Sequence, residues 1–268
     1  MADLTHLSLF SGIGGLDLAA EWAGFRTVGQ CEWADYPTKV LEKHWPEVPR
    51  WRDIRELTKE GFYGRTGLRT VDVISGGFPC QPHSVAGKRL GSGDERDLWP
   101  EMRRVIGEIK PRWVVGENVR GLLSSENGRF FRGILRDFAE LGYDVGWGVT
   151  SAAAVGAVHR RNRVAIVAHS NGEPLDGIRF HNRNKFRRKE NICEKIWNPT
   201  FTVSEQLRGD CSRVYAWNEK PVKPLITRKD DGFSGAMDRN RCLGNAVVPQ
   251  QFYPVFRAIA EVERGGDT

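Results

Sequence analysis

A short apolar segment, a glycine-rich turn and the start of a helix follow one another near the beginning of the chain. Leu7–Phe10 predicts a strand, residues 11–17 read SGIGGLD, and Leu18–Trp22 predicts a helix. Such a unit is typical of an α/β sheet, and the backbone N–H groups of its turn form a site for an anionic or nucleotide-like ligand. The dinucleotide fingerprint would have a third glycine where Asp17 stands, so the turn disfavours a nicotinamide cofactor.

An acidic residue follows the second predicted strand. Thr27–Cys31 predicts that strand, and Glu32 comes directly after it, 17 residues beyond Gly15. A carboxylate in this place can accept hydrogen bonds from the hydroxyls of a ribose. Because a glutamate after a strand is often an ordinary surface residue, it is the glycine turn and Glu32 together that favour an adenosine-type cofactor.

A cysteine stands at a second turn, between two prolines. Val71–Ser75 predicts a buried strand, and residues 76–82 read GGFPCQP, with Cys80 between Pro79 and Pro82. Each proline fixes φ at about −65° and removes a backbone donor, so the thiol has a rigid setting at the carboxyl end of a strand. The sequence makes Cys80 a candidate nucleophile, although most free cysteines are small buried apolar residues.

Charged residues adjoin two later strands. Trp113–Gly116 predicts a strand that ends before Glu117. We expect the Glu117 carboxylate to lie two strands along the sheet from Cys80 and to face the same pocket. Arg161 and Arg163 precede another predicted strand, and their alternation indicates that they share one face.

The remaining periodic segments continue the alternation of strands and helices. An alternation of this kind predicts an α/β fold. The predicted helices are Leu98–Ile109, Phe130–Leu141 and Phe252–Val262, and the other predicted strands are Val145–Val149 and Val164–Ala168.

Length and composition limit the class of protein. A chain of 268 residues suits one large α/β domain, alone or with a small satellite. No apolar run approaches the roughly 18 residues that span a bilayer, and Met1–Phe10 lacks the pattern of a signal peptide, so we expect a cytoplasmic protein without a membrane partner. The five cysteines show no C-x-x-C spacing, which indicates neither a metal site nor a disulfide framework.

The segment 171–236 has little periodicity and many polar residues. It contains 13 Lys and Arg against 9 Asp and Glu, and thus most of the chain's net charge of +6. A basic run interleaved with aromatic side chains fits a contact surface for a DNA backbone, although such a run is usually a solvated face. The basic residues predicted to contact DNA are Arg179, Arg183, Lys185, Arg187 and Arg188.

In their order along the chain, these motifs resemble those of the DNA (cytosine-5)-methyltransferases of bacteria and their phages. The resemblance covers residues 7–168 and 238–262. The similar motifs are the glycine turn, Pro79-Cys80-Gln81 for the nucleophile, Glu117-Asn118-Val119 for the catalytic glutamate, Arg161-x-Arg163 for the paired arginines, and Gly244-Asn245 before the last helix. One departure is Val158-His159, where the family usually has Pro-Gln.

The resemblance implies a class I methyltransferase, with a Rossmann-like, mostly parallel sheet, helices on both of its faces and S-adenosylmethionine as cofactor. Residues 1–170 and 237–268 would form the catalytic domain, and residues 171–236 a small irregular target-recognition domain. The implied cofactor contacts are Phe10, Gly12, Ile13, Gly14, Gly15, Glu32, Trp33, Asp53, Ile54, Leu98 and Asn245. Gln81 and Ser84 are further implied DNA contacts.

The resemblance also implies methylation of C5 of a flipped-out cytosine within a specific sequence of double-stranded DNA. Cys80 would add to C6, Glu117 would donate a proton or hydrogen bond to N3, and Arg163 would stabilise charge at O2. Arg161 would orient Glu117 or Cys80. We expect a monomer, in a bacterial cell or a phage-infected host, that belongs to a restriction–modification system or acts alone.

Three other functions stay open at this point. An RNA cytosine methyltransferase would share these motifs, and methylation of a tRNA pool rather than of a DNA duplex would identify it. A DNA-binding module with an inactive catalytic fold is disfavoured because Cys80, Glu117 and both arginines are present. A nicotinamide oxidoreductase conflicts with Asp17 at the glycine position.

Overall fold

The computed structural model describes residues 3–79, 97–157, 159–170 and 244–265. Seven strands of this part of the chain form one sheet, in the order β3-β2-β1-β4-β5-β7-β6. The strands are β1 (Leu4–Leu9), β2 (Phe25–Cys31), β3 (Arg50–Trp51), β4 (Val73–Gly76), β5 (Trp113–Val119), β6 (Tyr143–Ser151) and β7 (Asn162–Ser170).

Six of these described strands run in one direction, and β7 runs antiparallel to its neighbours β5 and β6. The strand order reverses at β1: the chain continues from it to β2 and β3, and then returns to its other side as β4. Ligands of open α/β sheets bind outside the carboxyl ends of the strands at such a reversal. The predicted Rossmann-like, mostly parallel sheet is therefore confirmed, and the turns after β1 and β4 lie where a ligand is expected.

Helices cover both faces of the sheet. They are α1 (Gly15–Trp22), α2 (Asp35–His44), α3 (Lys59–Thr66), α4 (Trp99–Ile109), α5 (Arg129–Glu140) and α6 (Pro249–Glu263), with 3₁₀ helices at Ile54–Glu56, Arg120–Gly128 and Ala152–Val155. The sequence analysis did not identify α2 and α3. In α3 the apolar signal is weak, because the helix contains two glycines and buries only Phe62.

Strand β5 is longer than predicted, and it lies nearer to β4. The prediction ended the strand at Gly116, whereas pairing with β7 continues it through Val119, which lies opposite Arg163. The expectation that Glu117 stands two strands away from the cysteine-bearing strand was wrong, because β5 pairs directly with β4. Only one helix, α4, separates the two strands in the described chain, so β5 takes the position next to β4.

Alternate residues of the central strands point into two separate apolar layers. Ile74 and Val114 pack on one face with side chains of α4 and α5. Val73 and Trp113 pack on the other face with side chains of α1 and α6. Because both faces are covered, these strands have continuous apolar sequences rather than an alternation of apolar and polar residues.

The last helix returns to the first strands of the sheet. The ring of Phe256 on α6 lies edge-on to His6 of β1, with 5.6 Å between ring centroids, and edge-on to Phe25 of β2 at 5.8 Å. Glu263, at the end of the same helix, accepts a hydrogen bond of 2.7 Å from the indole of Trp113. The predicted last helix is therefore confirmed, and it lies beside the first strand. We call the segment that leads into it, residues 244–248, the late motif.

None of the helices in the described ranges combines the length and the apolarity needed to cross a membrane. The proposed target-recognition domain, residues 171–236, lies outside the described residues. The domain boundaries at residues 170 and 237 therefore stay predictions.

Candidate functional site

The glycine turn after β1 is held in a conformation that few side chains tolerate. Phe10 has a φ of +51°, Gly12 of +56° and Gly14 of +86°, all in the left-handed region. A Cβ on Gly14 would lie 2.5 Å from the ring of Trp45, and a Cβ on Gly15 would lie 2.5 Å from the carbonyl oxygen of Val247. The two adjacent glycines are thus required by the close approach of α2's end on one side and of the late motif on the other.

Glu32 closes the glycine turn from the end of β2. Its carboxylate accepts hydrogen bonds of 2.8 Å from the backbone N–H of Gly12 and from that of Ala34. A carboxylate has about four acceptor positions, so two donors leave capacity for the hydroxyls of a ribose. Glu32 therefore both fixes the turn and offers acceptors beside it.

Two further predicted cofactor residues follow the neighbouring strands β2 and β3. Trp33 is 71% exposed, and its carbonyl accepts a hydrogen bond of 2.7 Å from Arg52. Asp53 begins the 3₁₀ helix by accepting from the N–H of Arg55 at 2.9 Å, and Ile54 beside it is buried. Since β2 and β3 are paired and parallel, these residues emerge at the same edge of the sheet as Glu32.

The structure describes the remaining predicted cofactor residues at other places along this edge. Ile13 lies in the glycine turn, Leu98 precedes α4 as its N-cap, and Asn245 is exposed in the late motif before α6. Ile13 lines a cavity of about 860 Å³ that also borders the two arginines. All the predicted cofactor contacts stay predictions, and Leu98 and Asn245 are not among the described residues that line this cavity.

A buried carboxylate joins the start of α1 to the strands β1 and β2. Asp17, in the first turn of α1, accepts hydrogen bonds of 2.8 Å from the hydroxyl of Ser8 and from the amide of Gln30. The carbonyl oxygen of the Gln30 amide in turn accepts from Arg50 Nε at 2.9 Å. Burial raises the pKa of Asp17 to about 6, and the hydrogen bonds from Gln30 and Ser8 oppose that rise.

Residues after β4 come into contact with Glu117 and Asn118 on β5. The side-chain amide of Asn118 donates to the carbonyl of Phe78 at 3.0 Å. A Cβ on Gly77 would lie 2.8 Å from Oε2 of Glu117, so the glycine allows the carboxylate to lie against the backbone. The chain segment that leads to Pro79 is thus fixed beside Glu117, while Cys80 itself lies outside the described residues.

Glu117 forms a buried ion pair with one of the two arginines. Arg163 Nε donates to Oε1 of Glu117 over 2.8 Å, and the side chains are 16% and 12% exposed, respectively. Burial raises the pKa of Glu117, and the charges of Arg163 and Arg161 act in the opposite direction. A carboxyl group with a raised pKa can hold a proton closer to neutral pH, which suits a proton donor.

Among the described residues, Arg161 binds the late motif rather than Glu117, and its predicted contact with Cys80 lies outside them. Its guanidinium donates to the carbonyl of Gly244 at 2.7 Å and to that of Ala246, both in the late motif, instead of to Glu117. The reason is local: Arg161 precedes β7 and has a φ of +28°, so the alternation of a strand does not apply to it. Gln251, which the sequence analysis missed, donates to the carbonyl of Arg161 at 3.1 Å.

The 860 Å³ cavity connects these parts of the site. Gly14 and Gly15 line it from the glycine turn, Arg161 and Arg163 from the start of β7, and Val247 from the late motif. It therefore lies between the turn predicted to hold the cofactor and the ion pair of Glu117.

Several predicted site residues fall outside the described residues, and their placement stays a prediction. They are Cys80, Gln81, Ser84, Arg179, Arg183, Lys185, Arg187 and Arg188.

Comparison with known families and relatives gives a consistent result. The profile of the family described as "C-5 cytosine-specific DNA methylase" matches residues 4–257 of the chain. The Type II methyltransferase M.BsuFI of Bacillus subtilis is 32% identical over 225 residues, which cover 83% of this chain and 52% of that protein. M.NgoBI of Neisseria gonorrhoeae is 31% identical over 232 residues, covering 84% and 69%. The chain spans about half the length of several of the curated relatives that it matches.

Solved structures show the same fold at low sequence identity. A DNA modification methyltransferase encoded within a prophage, from E. coli, has a TM-score of 0.55 and 23% identity, covering 72% of this chain and 64% of that one. The methyltransferase EhMeth of Entamoeba histolytica has a TM-score of 0.60 and 14% identity, covering 98% of this chain and 99% of that one. Both likenesses concern the fold.

We expect Asp17→Asn to change how stability depends on pH. The folded-state pKa of Asp17, about 6, lies above the ordinary value, so the folded state binds the proton more tightly and loses stability as pH rises from about 4 to 6. Asparagine does not titrate, and the variant should lack this loss, which is on the order of 2–3 kcal/mol for a shift of this size. Urea unfolding of both proteins between pH 4 and 7 measures the difference.

The buried His6 is present in both the wild type and the Asp17→Asn variant. Its titration changes the stability with pH in the opposite direction to that of Asp17. Its pKa is lowered to about 3 by burial, so it favours unfolding as pH falls below about 6.5 in wild type and variant alike. The difference between the two curves therefore isolates Asp17. Parallel curves across pH 4–7 would show that Asp17 keeps an ordinary pKa in the folded state.

Proposed function

The chain belongs to the C-5 cytosine-specific DNA methylase family, and from this premise we propose that it methylates C5 of cytosine in double-stranded DNA. The observation that supports the proposal most is the buried pair of Glu117 and Arg163, fixed beside the segment that leads to Cys80. The family match explains why a proton donor, a cation and a thiol should occur together there. The addition of a thiolate to C6 of cytosine requires all three groups around the ring of the base.

The turn after β1 fits S-adenosylmethionine as the methyl donor. The residues that would hold it are the glycine turn, Glu32, Trp33 and Asp53, of which Glu32 keeps acceptor capacity beside the turn and Trp33 presents an exposed indole. A carboxylate suits a ribose diol, and an indole face suits the stacking of an adenine ring. When bound, S-adenosylmethionine supplies the methyl group that C5 of the cytosine accepts.

The proposed chemistry depends on residues of this chain at the cytosine. The Cys80 thiolate adds to C6, which gives the ring the electron density at C5 that it otherwise lacks. Negative charge develops at N3 and O2 during this addition. Glu117 donates its proton or a hydrogen bond to N3, and Arg163 stabilises O2. After methylation, a base takes the proton from C5. The electrons of that C–H bond form the C5–C6 double bond and expel the Cys80 sulfur from C6 as a thiolate, and N3 returns any proton to Glu117.

A cytosine in a duplex presents only its edges, so C6 is out of reach of a thiol. The target base must therefore leave the stack and enter the pocket, at a cost of a few kcal/mol. The cavity between the glycine turn and the arginines has space on the scale of a base with part of a cofactor. We propose that the flipped base approaches Glu117 and Arg163 through it.

Duplex DNA with 5-fluorocytosine at target sites should trap the protein covalently. The adduct can resolve only by loss of the C5 substituent as a cation, which fluorine cannot do, so the bond to Cys80 persists. Trapping should require S-adenosylmethionine, and Cys80→Ser should abolish it because a hydroxyl ionises far less readily than a thiol. A denaturing gel and peptide mapping of the adduct measure both effects.

Cys31→Ala provides the matched control for this trap. Cys31 is 2% exposed, and burial raises the pKa of its thiol to about 12, so it should be inert and its loss should leave the adduct intact. An adduct that survives Cys80→Ser would contradict the mechanism. A methylated tRNA pool together with unmodified DNA would contradict the proposed substrate and favour RNA.

We expect Glu117→Gln to slow methylation by about 10²–10⁴-fold, because glutamine can donate a hydrogen bond but cannot transfer a proton. In the wild type, the protonated form of Glu117 is populated below its raised pKa, so kcat should decrease as pH rises through that pKa. The variant should lack this decrease. Single-turnover methylation across the pH range in which both proteins stay folded tests it, and the same pH profile in the variant and the wild type would remove Glu117 as the proton donor.

We expect Glu32→Ala to weaken S-adenosylmethionine binding by about 1.5–3 kcal/mol, the contribution of hydrogen bonds to a charged group. Glu32→Gln is the matched variant: it keeps one acceptor for Gly12 but loses the charge, and its loss of affinity should be smaller. Calorimetric titration measures both. If a folded Glu32→Ala protein bound S-adenosylmethionine as tightly as the wild type does, Glu32 would be excluded from the cofactor site.

A further inference from the structure

Gln251 on α6 is a buried polar residue that bonds to the paired ends of two neighbouring strands. Its side chain is 3% exposed, and Nε2 donates to the carbonyl of Thr150 at 3.3 Å and to that of Arg161 at 3.1 Å. Thr150 lies near the end of β6, opposite Arg163 on β7. The amide of Gln251 thus bonds to both strands where the β6–β7 ladder ends.

The carbonyl that Gln251 holds belongs to a residue in an unusual conformation. Arg161 has a φ of +28°, and residues other than glycine rarely adopt positive φ. Such conformations persist only where surrounding contacts impose them, and they cluster at functional sites. The carbonyl of Arg160 is held by the N–H of Ala152 and the hydroxyl of Ser151. The carbonyl of Arg161 is held by the amide of Gln251, which comes from a helix 90 residues later in the chain.

Arg161 makes contacts in return with the segment that precedes α6. Its guanidinium donates to the carbonyl of Gly244 at 2.7 Å and to that of Ala246. Gln251 thus holds the backbone of Arg161, and the side chain of Arg161 holds the backbone before Gln251. We call these reciprocal hydrogen bonds the Arg161–Gln251 clamp.

The two sides of the clamp reach different parts of the site. On one side, the carbonyl of Val247 lies so close to the glycine turn that a Cβ on Gly15 would be 2.5 Å from it. On the other side, Arg163 is two residues from Arg161 and pairs with Glu117 at 2.8 Å. The clamp is the hydrogen-bonded link between the wall of the glycine turn and the ion pair.

Packing alone does not explain a glutamine at this position. The Oε1 atom of Gln251 is buried and has no hydrogen-bond partner among the described residues, and the same holds for Nε of Arg161. A buried polar atom without a partner is unfavourable, and an apolar side chain of similar shape would avoid it. The donors of the amide are therefore the property that this position needs.

We propose that Gln251 is a positioning residue that couples the cofactor turn to the Glu117–Arg163 pair by acting through Arg161. The proposal rests on the proposed function, since it assigns the glycine turn to the cofactor and the ion pair to the base. Gln251 itself need not touch either ligand. Without the amide donors of Gln251, the carbonyl of Arg161 loses its hydrogen bond. The position of the late motif beside the glycine turn and the position of the Arg163 side chain then change together.

The test is a double-mutant cycle with Gln251→Met and Arg161→Met in the full chain. Methionine keeps the length and the unbranched shape of glutamine but has no donor. Each single variant should weaken S-adenosylmethionine binding about tenfold, and the double variant should lose about the same tenfold rather than a hundredfold, since residues of one network are not additive. Calorimetric titration gives the affinities, and single-turnover methylation gives the rate.

The pH dependence of the methylation rate provides a second measurement, which a general loss of packing would not change. The charges that face Glu117 are Arg163 and Arg161, and both lower its pKa. If Gln251 keeps both arginines in place, the decrease of the rate at high pH should move to higher pH in Gln251→Met. Arg257→Met on the same helix is the control: it removes an exposed ion pair with Glu261, and it should alter neither affinity nor profile.

Three results would overturn the proposal: wild-type affinity and rate in a folded Gln251→Met protein, additive losses in the double variant, or an unchanged pH profile of the rate.

Should Gln251→Met fail to fold, Arg161→Lys tests the same link from its less buried side. A single ammonium cannot bind both carbonyls as the guanidinium does, so cofactor affinity should fall, and an unchanged affinity would refute the coupling. If the wild-type protein neither binds S-adenosylmethionine nor methylates DNA, the proposed function fails instead.

Discussion

The arrangement of the site depends on a carboxylate that is buried beside a single arginine. A buried charge is unfavourable unless it is paired and hydrogen-bonded, and Arg163 supplies both for Glu117. Two features of the surrounding structure place this pair. Strand β5 continues past Gly116, and its ladder with β7 brings the two residues together. Gly77 has no Cβ and therefore leaves room for the carboxylate. An ion pair of this kind has little freedom to move, which fixes where charge can be stabilised on a substrate.

The same principle explains why the site is assembled from segments that are far apart in the sequence. Main-chain carbonyls at the end of β6 and before β7 need donors, and Gln251 on the last helix provides them. The carbonyls of the late motif need donors in turn, and Arg161 provides those. Pairing these backbone groups thus ties residues 244–251 to the strand ends at Thr150 and Arg161. The glycine turn near the beginning of the chain lies against Val247 of the same late segment.

The sequence predicts the strands, the glycine turn and the acidic residue after β2 because each has a local signal. It does not predict that β5 lies next to β4, since strand order depends on tertiary packing, nor does it predict α3, whose glycines weaken the helical pattern. It places Arg161 and Arg163 together but does not predict their different partners, because Arg161 has a positive φ and its partners come from residues about 85 positions later in the chain. Gln251 stands directly before the predicted helix Phe252–Val262 and within the first turn of α6, and the sequence has no local signal for its contact with Arg161.

Two buried carboxyl groups with raised pKa values occur near this edge of the sheet, and their surroundings distinguish them. Asp17 is satisfied by the neutral donors of Ser8 and Gln30 beneath the glycine turn, with no arginine in direct contact. Glu117 is paired with Arg163, which lines the cavity. A perturbed pKa alone would select both as candidate acids. Because both oxygens of Asp17 bind side chains of β1 and β2, Asp17 acts on the packing of α1 against the sheet. Glu117 pairs with Arg163 through Oε1, and its Oε2 lies next to Gly77 in the segment that leads to Cys80.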